Sequence, residues 1–128
     1  MKKIDLILRI LLSLILVMPI FGTLGIFPKP TADMYTTKKA FDFITLLMDS
    51  GYVMWMMSVV FIICLYFIFK NKMAPVALLL LPITLNIIGF HAFLDGGLLN
   101  PGAIMAIVFF ALNIYFLWKN REVYKLLT

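Results

Sequence analysis

The chain is poor in the residue types that build most active sites. Among its 128 residues are one cysteine, Cys64, and one histidine, His91. A lone thiol cannot form the paired centre of a disulfide-exchanging enzyme, and no Cys-x-x-Cys-His is present for haem attachment. One histidine cannot supply two axial haem ligands, and no His, Cys, Asp or Glu cluster has zinc spacing. Glu122 is the only glutamate and lies in the tail, so no apolar stretch carries an acid at its middle. A proton-coupled exporter of the small four-helix kind needs such an acid. Charge is scarce as well. Charged residues make up 13% of the chain, against about 25% in soluble domains. These absences leave no catalytic set and no metal ligands to name.

What the sequence has instead is apolar. Hydrophobic residues account for 64% of it, and the mean hydropathy is +1.08. A soluble fold of this size would leave much of that surface facing water. The composition excludes a soluble enzyme, a disordered chain and a nucleic-acid binder. The net charge of +5 does not restore the last of these, because the lysines sit in short clusters between apolar runs. That is the pattern of membrane topology rather than of a phosphate-binding face.

Four runs reach the length of about 20 residues that a bilayer crossing needs. They cover roughly 6–27, 52–69, 73–94 and 102–118. Lipid admits only helices and closed barrels, and these runs lack the alternation of barrel strands. The predicted fold is therefore all-α, a four-helix transmembrane bundle forming a single domain over residues 1–128. The short connectors Lys70-Asn71-Lys72 and Asp95–Pro101 make the second, third and fourth spans neighbours.

Basic residues set the orientation. One side holds Lys2, Lys3, Arg9, Lys70, Lys72, Lys119, Arg121 and Lys125, eight of the 11 lysines and arginines. The other holds Lys29, Lys38 and Lys39 together with Asp33, Asp42, Asp49 and Asp95. Both termini are expected in the cytoplasm. The start, Met1-Lys2-Lys3 before an apolar run, also has the form of a signal peptide. No small-x-small site follows, and Cys64 is too late for a lipoprotein anchor, so the segment is expected to be retained.

The loop from Pro28 to Gly51 opens with two prolines that are expected to end the first helix. A short amphipathic helix is expected over about 37–50, with Thr36-Thr37 as N-cap and Gly51 as stop. Phe41, Ile44, Leu47 and Met48 share one face, and Asp42, Thr45 and Asp49 the other. On the outer leaflet such a helix caps the bundle, or serves as a lid for a pocket. The basic tail places Tyr124 and Leu126-Leu127 along the inner membrane surface.

Polar groups at membrane depth are costly, so each is a candidate for function. Arg9 lies four residues after Asp5, a spacing that pairs the two along one helix face. It either snorkels to the inner interface or anchors an anionic headgroup or a quinone carbonyl. Asn86 and Asn113 fall within the third and fourth spans, where interhelical hydrogen bonding is the simpler role and ligand binding the sharper one. A direct contact between them needs a vertical offset. His91 lies one turn before Asp95, which can orient its ring. It is an interfacial side chain, a hydrogen-bond donor lining a pocket or, least favoured, a metal or haem ligand. The nine methionines and the aromatics at helical spacing serve packing and lipid contact.

Four features occur in a familiar order: Leu8-Arg9-Ile10-Leu11 early in the first span, a Pro-rich loop leading to a helix that ends in Gly51-Tyr52, a third span reading Pro82-Ile83-Thr84-Leu85-Asn86-Ile87-Ile88-Gly89-Phe90-His91-Ala92-Phe93-Leu94-Asp95, and a charged tail. With these the chain resembles the DoxX-like family of small bacterial four-span membrane proteins over essentially its whole length. The Asn-x-x-x-Phe-His-x-Phe-Leu-Asp segment is the most specific part. The resemblance implies a protein of the bacterial inner membrane, linked to membrane redox systems, with a quinone or lipid pocket near Arg9, Asn86 and His91. Members often carry a Glu in the second span where this chain reads Ser58-Val59-Val60-Phe61. That departure disfavours proton handling and catalysis and favours a binding or subunit role.

The expected function is binding of a quinone or lipid-like molecule beside a redox-protein partner. The expected anchors are Arg9, Asn86, His91, Asp95 and Asn113, with the lipid bilayer as the surroundings. The alternatives are a structural or assembly subunit without a ligand, and a small dimeric transporter. A homo-oligomer is open under each.

Overall fold

The computed structural model describes residues 2–128. Every regular element among them is helical. Helix α1 spans Lys3–Thr23, α2 Lys38–Ser50, α3 Tyr52–Phe69, α4 Met73–Phe93 and α5 Ile104–Lys119, and a short α6 covers Arg121–Tyr124. A 3-10 turn at Pro101–Ala103 leads into α5. Four helices are long and apolar enough to cross a membrane: α1, α3, α4, and α5 taken with that turn, Pro101–Lys119.

Local chemistry fixes where these helices stop. The first was expected to reach Phe27 and end against Pro28, but α1 stops at Thr23. Gly25 takes φ +80. This lets the Ile26 N–H return to the Phe21 carbonyl and the Gly25 N–H to that of Gly22, each at 3.1 Å. Such a left-handed closure satisfies the last carbonyls before proline has any say. The end of α3 closes the same way. Asn71, at φ 65, lets the Lys72 N–H reach the Phe67 carbonyl at 2.9 Å. Asparagine tolerates that conformation better than most residues with a side chain.

The spans form a ring in which α1 packs on α3, α3 on α4, α4 on α5 and α5 back on α1. Its centre is filled by Leu12, Leu16, Phe61, Cys64, Val76, Leu80, Phe109, Leu112 and Phe116. Phe61 and Phe109 meet edge to face at 6.2 Å. In lipid, apolar contact alone favours a neighbouring helix little over a lipid tail, so close packing and interhelical hydrogen bonds decide the pairing. Polar ties of this kind join α1 to α3 and α4 to α5. Ser58 of α3 donates to the Thr23 hydroxyl of α1 at 2.8 Å. Thr84 of α4 donates to the Asn113 side-chain oxygen of α5 at 2.7 Å.

Helix α2 packs against α3. Thr37 accepts from the Ala40 N–H at 3.0 Å at its start, and Gly51, at φ 79, turns the chain directly into α3. Ala40 is buried, Phe41, Ile44, Leu47 and Met48 are half-buried, and Asp42, Thr45 and Asp49 are exposed.

Candidate functional site

The beginning of α1, the α3–α4 turn and the end of α5 meet at one end of the bundle, and a polar hub joins them. Asp5 is buried, with 4% of its surface exposed. It sits in the first turn of α1, where the helix dipole favours an acid. Its carboxylate receives the Lys119 ammonium at 2.6 Å and the Tyr115 hydroxyl at 3.3 Å, both from α5. Its other oxygen lies 3.2 Å from the Arg9 guanidinium. Arg9 in turn donates to the Asn71 side-chain oxygen in the α3–α4 turn. One acid thus faces two cations, Arg9 and Lys119, and the hub keeps one positive charge.

Arg9 also borders a crevice of about 390 Å³ between α1 and α3. Ser13 and Asn71 add polar groups beside the guanidinium, and Leu6, Ile10, Leu14, Ile68 and Phe69 make the walls. Leu6, Ile10, Leu14 and Phe69 are exposed on the flank of the bundle, so the crevice opens sideways, where lipid would lie. The Arg9 side chain is 14% exposed, and its Nε is buried with no acceptor among the described residues. A buried N–H without an acceptor is costly and uncommon. The site therefore combines a cationic side chain with an open, apolar-walled crevice. That combination suits a molecule with an acceptor or anionic head and an apolar tail.

A second polar cluster closes the opposite end. Asp95, 3% exposed, accepts from the Thr36 backbone N–H at 2.7 Å. Its other oxygen lies 3.5 Å from His91 Nδ1. Asn100 donates to the Thr36 hydroxyl and to the Asp95 carbonyl at 3.3 Å, while Thr37 donates to the Leu94 carbonyl. Tyr35 stacks edge-on to Phe90 with ring centres 6.3 Å apart. Burial first, and the Asp95 charge second, hold the Tyr35 phenol above its ordinary pKa. These contacts clasp the segment before α2 to the turn after α4. Asp95 is spent on that clasp, and the neighbouring His91 Nδ1 is buried without a hydrogen-bond partner.

The five residues singled out from sequence do not share one cavity. Arg9 stands in the hub at the terminal end. Asn113, 1% exposed, is inside the bundle, where its amide donates to the Ala77 carbonyl at 2.9 Å and accepts from Thr84. His91 and Asp95 belong to the clasp. Asn86 is exposed on the outer side of α4 and, among the described residues, makes no side-chain hydrogen bond to the others. Sequence reading paired Asp5 with Arg9 but did not single out Asn71, Tyr115 and Lys119. Tyr115 and Lys119 carried a usable signal, since they sit four apart at the depth of Asp5. Among the described residues, no three His, Cys, Asp or Glu side chains gather as metal ligands would.

Comparison with family models, with curated proteins and with solved structures finds no match to this chain.

Proposed function

We propose that the protein is a four-span component of a bacterial inner membrane, with both termini cytoplasmic, that binds an amphipathic molecule in the α1–α3 crevice. The ligand is a quinone or an anionic lipid. The two share one chemistry: an oxygen acceptor for Arg9 and an apolar tail for the walls formed by Ile10, Leu14, Ile68 and Phe69. The observation that carries the reading is the Arg9 guanidinium set at the edge of an open, apolar-walled crevice on the flank of the bundle. Eight of the 11 basic residues fall on the terminal side, which supports the cytoplasmic placement. On that side the crevice meets the inner leaflet. The DoxX-like resemblance adds a redox protein as the partner that would use a bound quinone. Helix α2, with its polar face outward, is assigned to the outer membrane surface as a cap.

The function follows from placement rather than from bond chemistry. The hub holds the guanidinium in position: Asp5 neutralises one charge at this end and Asn71 fixes the fork. A ligand entering sideways from the leaflet meets the guanidinium first and lays its tail along α1. The test is mass spectrometry of small molecules extracted from protein purified in a mild detergent and washed free of bulk lipid. One ligand per chain is expected, reduced several-fold by Ile10→Trp, which fills the crevice without touching the hub. Ultraviolet absorbance that bleaches on reduction identifies a quinone, and stoichiometric phosphorus identifies a lipid. Equal retention by wild type and Ile10→Trp would place the ligand elsewhere, and an empty wild-type protein would end the proposal.

A further inference from the structure

The outward faces of the spans are apolar almost throughout. α1 shows Ile7, Leu14 and Met18 to its surroundings, and α5 shows Ile104, Ile107 and Ile114. α3 adds Met56, Val59 and Ile62, with Tyr52 and Tyr66 near its ends. Asn86 breaks the pattern. It is exposed on α4, 13 residues after Met73 and seven before Phe93, or about 20 Å and about 10 Å along the helix. That is deep in the hydrocarbon, where no water can reach the amide. Its counterpart Asn113 is satisfied within the bundle, while Asn86 has no such partner among the described residues. A primary amide facing lipid tails leaves its donors and its acceptor unmet, at a large desolvation cost.

The residues around it are spaced for a helix. Leu79, Pro82, Asn86, Gly89 and Phe93 follow in steps of three, four, three and four. Four of them are exposed, and Phe93 is 86% exposed. Gly89 is the fifth, and a Cβ added there would meet nothing within 4 Å. This is the 3.5-residue repeat with which two helices stay in contact along a left-handed crossing. It extends over about 21 Å of the span. The bundle uses the other side of α4, through Val76, Ala77, Leu80 and Thr84, so the stripe is free for a partner.

We infer that this stripe is a homodimer interface, in which Asn86 of one copy meets Asn86 of a second copy across a two-fold axis normal to the membrane. The amide identifies the occupant. It carries two donors and an acceptor, so two of them face to face exchange N–H···O bonds in both directions. A two-fold interface brings a surface onto its own copy. Two copies inserted in the same orientation therefore bring the amides to equal depth with no other adjustment. Gly89, one turn further on, lets the two backbones come close. The inference requires that α4 crosses the membrane, and it is independent of the crevice between α1 and α3.

The test is self-association of the purified chain in lipid bilayers, read by energy transfer between labelled copies over a range of protein-to-lipid ratios. Wild type is expected to dimerise, and Asn86→Leu, which removes both bonds, to weaken dimerisation between about eightfold and about three-hundredfold. Leucine facing lipid leaves the fold of one copy intact. A second measurement keeps Asn86 in place: on a Cys64→Ser background, Leu79→Cys and Phe93→Cys are expected to cross-link between copies on oxidation, while Val59→Cys on α3 is not. A monomer at every ratio, a dimer unchanged by Asn86→Leu, or cross-linking through Val59→Cys would each overturn the interface. Cross-linking of Phe93→Cys in membranes to a different protein, at one per chain, would overturn the second copy as its occupant.

Discussion

Replacing Asn113 by leucine tests how the two most closely packed spans are joined. The side chain makes two bonds to α4: its amide donates to the Ala77 carbonyl at 2.9 Å, and its oxygen accepts from Thr84 at 2.7 Å. Interhelical bonds of this kind average about 0.6 kcal/mol in membrane proteins and reach about 1.7 kcal/mol. Two average bonds amount to about 1.2 kcal/mol, with a ceiling of about 3.4 kcal/mol. The lower figure is the expected one, because leucine strands neither partner. The Thr84 hydroxyl still reaches the Leu81 carbonyl at 3.1 Å, and Ala77 lies within α4, where its carbonyl keeps a helical donor. Alanine at the same place also opens a cavity between α4 and α5 where the buried Asn113 side chain was, so Asn113→Ala is expected to cost more than Asn113→Leu. The assay is reversible unfolding in mixed micelles, followed through Trp55 and Trp118. A double-mutant cycle with Thr84→Val isolates the shared bond, with a coupling of about 0.6 kcal/mol and no more than about 1.7 kcal/mol expected. Zero coupling would show that Thr84 and Asn113 do not meet, and the pairing of α4 with α5 in this register would be refuted.

Three further perturbations address the clasp at the opposite end. Asp95→Ala removes the acceptor of the Thr36 N–H; a loss of about 1.5–3 kcal/mol is expected for a bond to a charged group, with faster hydrogen exchange confined to residues 28–37. Gly96→Ala puts a Cβ 2.8 Å from the Thr36 methyl at φ +85, so a cost of about 1–3 kcal/mol is expected, and unaltered stability in a chemical-denaturation curve would contradict the close approach. Tyr35 is held above its ordinary pKa by burial and by Asp95. Folding therefore favours its neutral phenol: the contribution is complete below about pH 10 and fades as pH rises through the higher folded value. The stability difference between wild type and Tyr35→Phe is expected to shift against the wild type only in that alkaline range, and a shift at neutral pH would exclude Tyr35 as its source.

The spans were legible because a long apolar run has few alternatives in a chain this poor in charge. Their ends were less so. Proline at Pro28 and Pro30 gave the more obvious stop, yet Gly25 had already closed α1 with backbone bonds of its own. The pairing of Asp5 with Arg9 could be read from a four-residue spacing, and it is present at 3.2 Å. Asn71 could not be read, because it meets Arg9 only after three helices have come together at one end. The two asparagines show the limit best. Asn86 and Asn113 look alike in sequence, and both lie in runs that are apolar on every face. No amphipathic stripe marks the inner side of α4 or α5, so only packing reveals that Asn113 points inward and Asn86 outward. The clasp was hidden for a similar reason. His91 and Asp95 are one turn apart, as expected, but the backbone that Asp95 holds comes from Thr36, 59 residues earlier.

The most direct measurement is labelling of single cysteines in intact cells with a maleimide that does not cross membranes, on a Cys64→Ser background. With the chain passing the bilayer four times and its ends inside, Asp49→Cys should react from outside, and Thr128→Cys only after the membrane is opened. Reaction of Thr128→Cys in sealed cells would put the Arg9 hub at the outer leaflet and contradict the account.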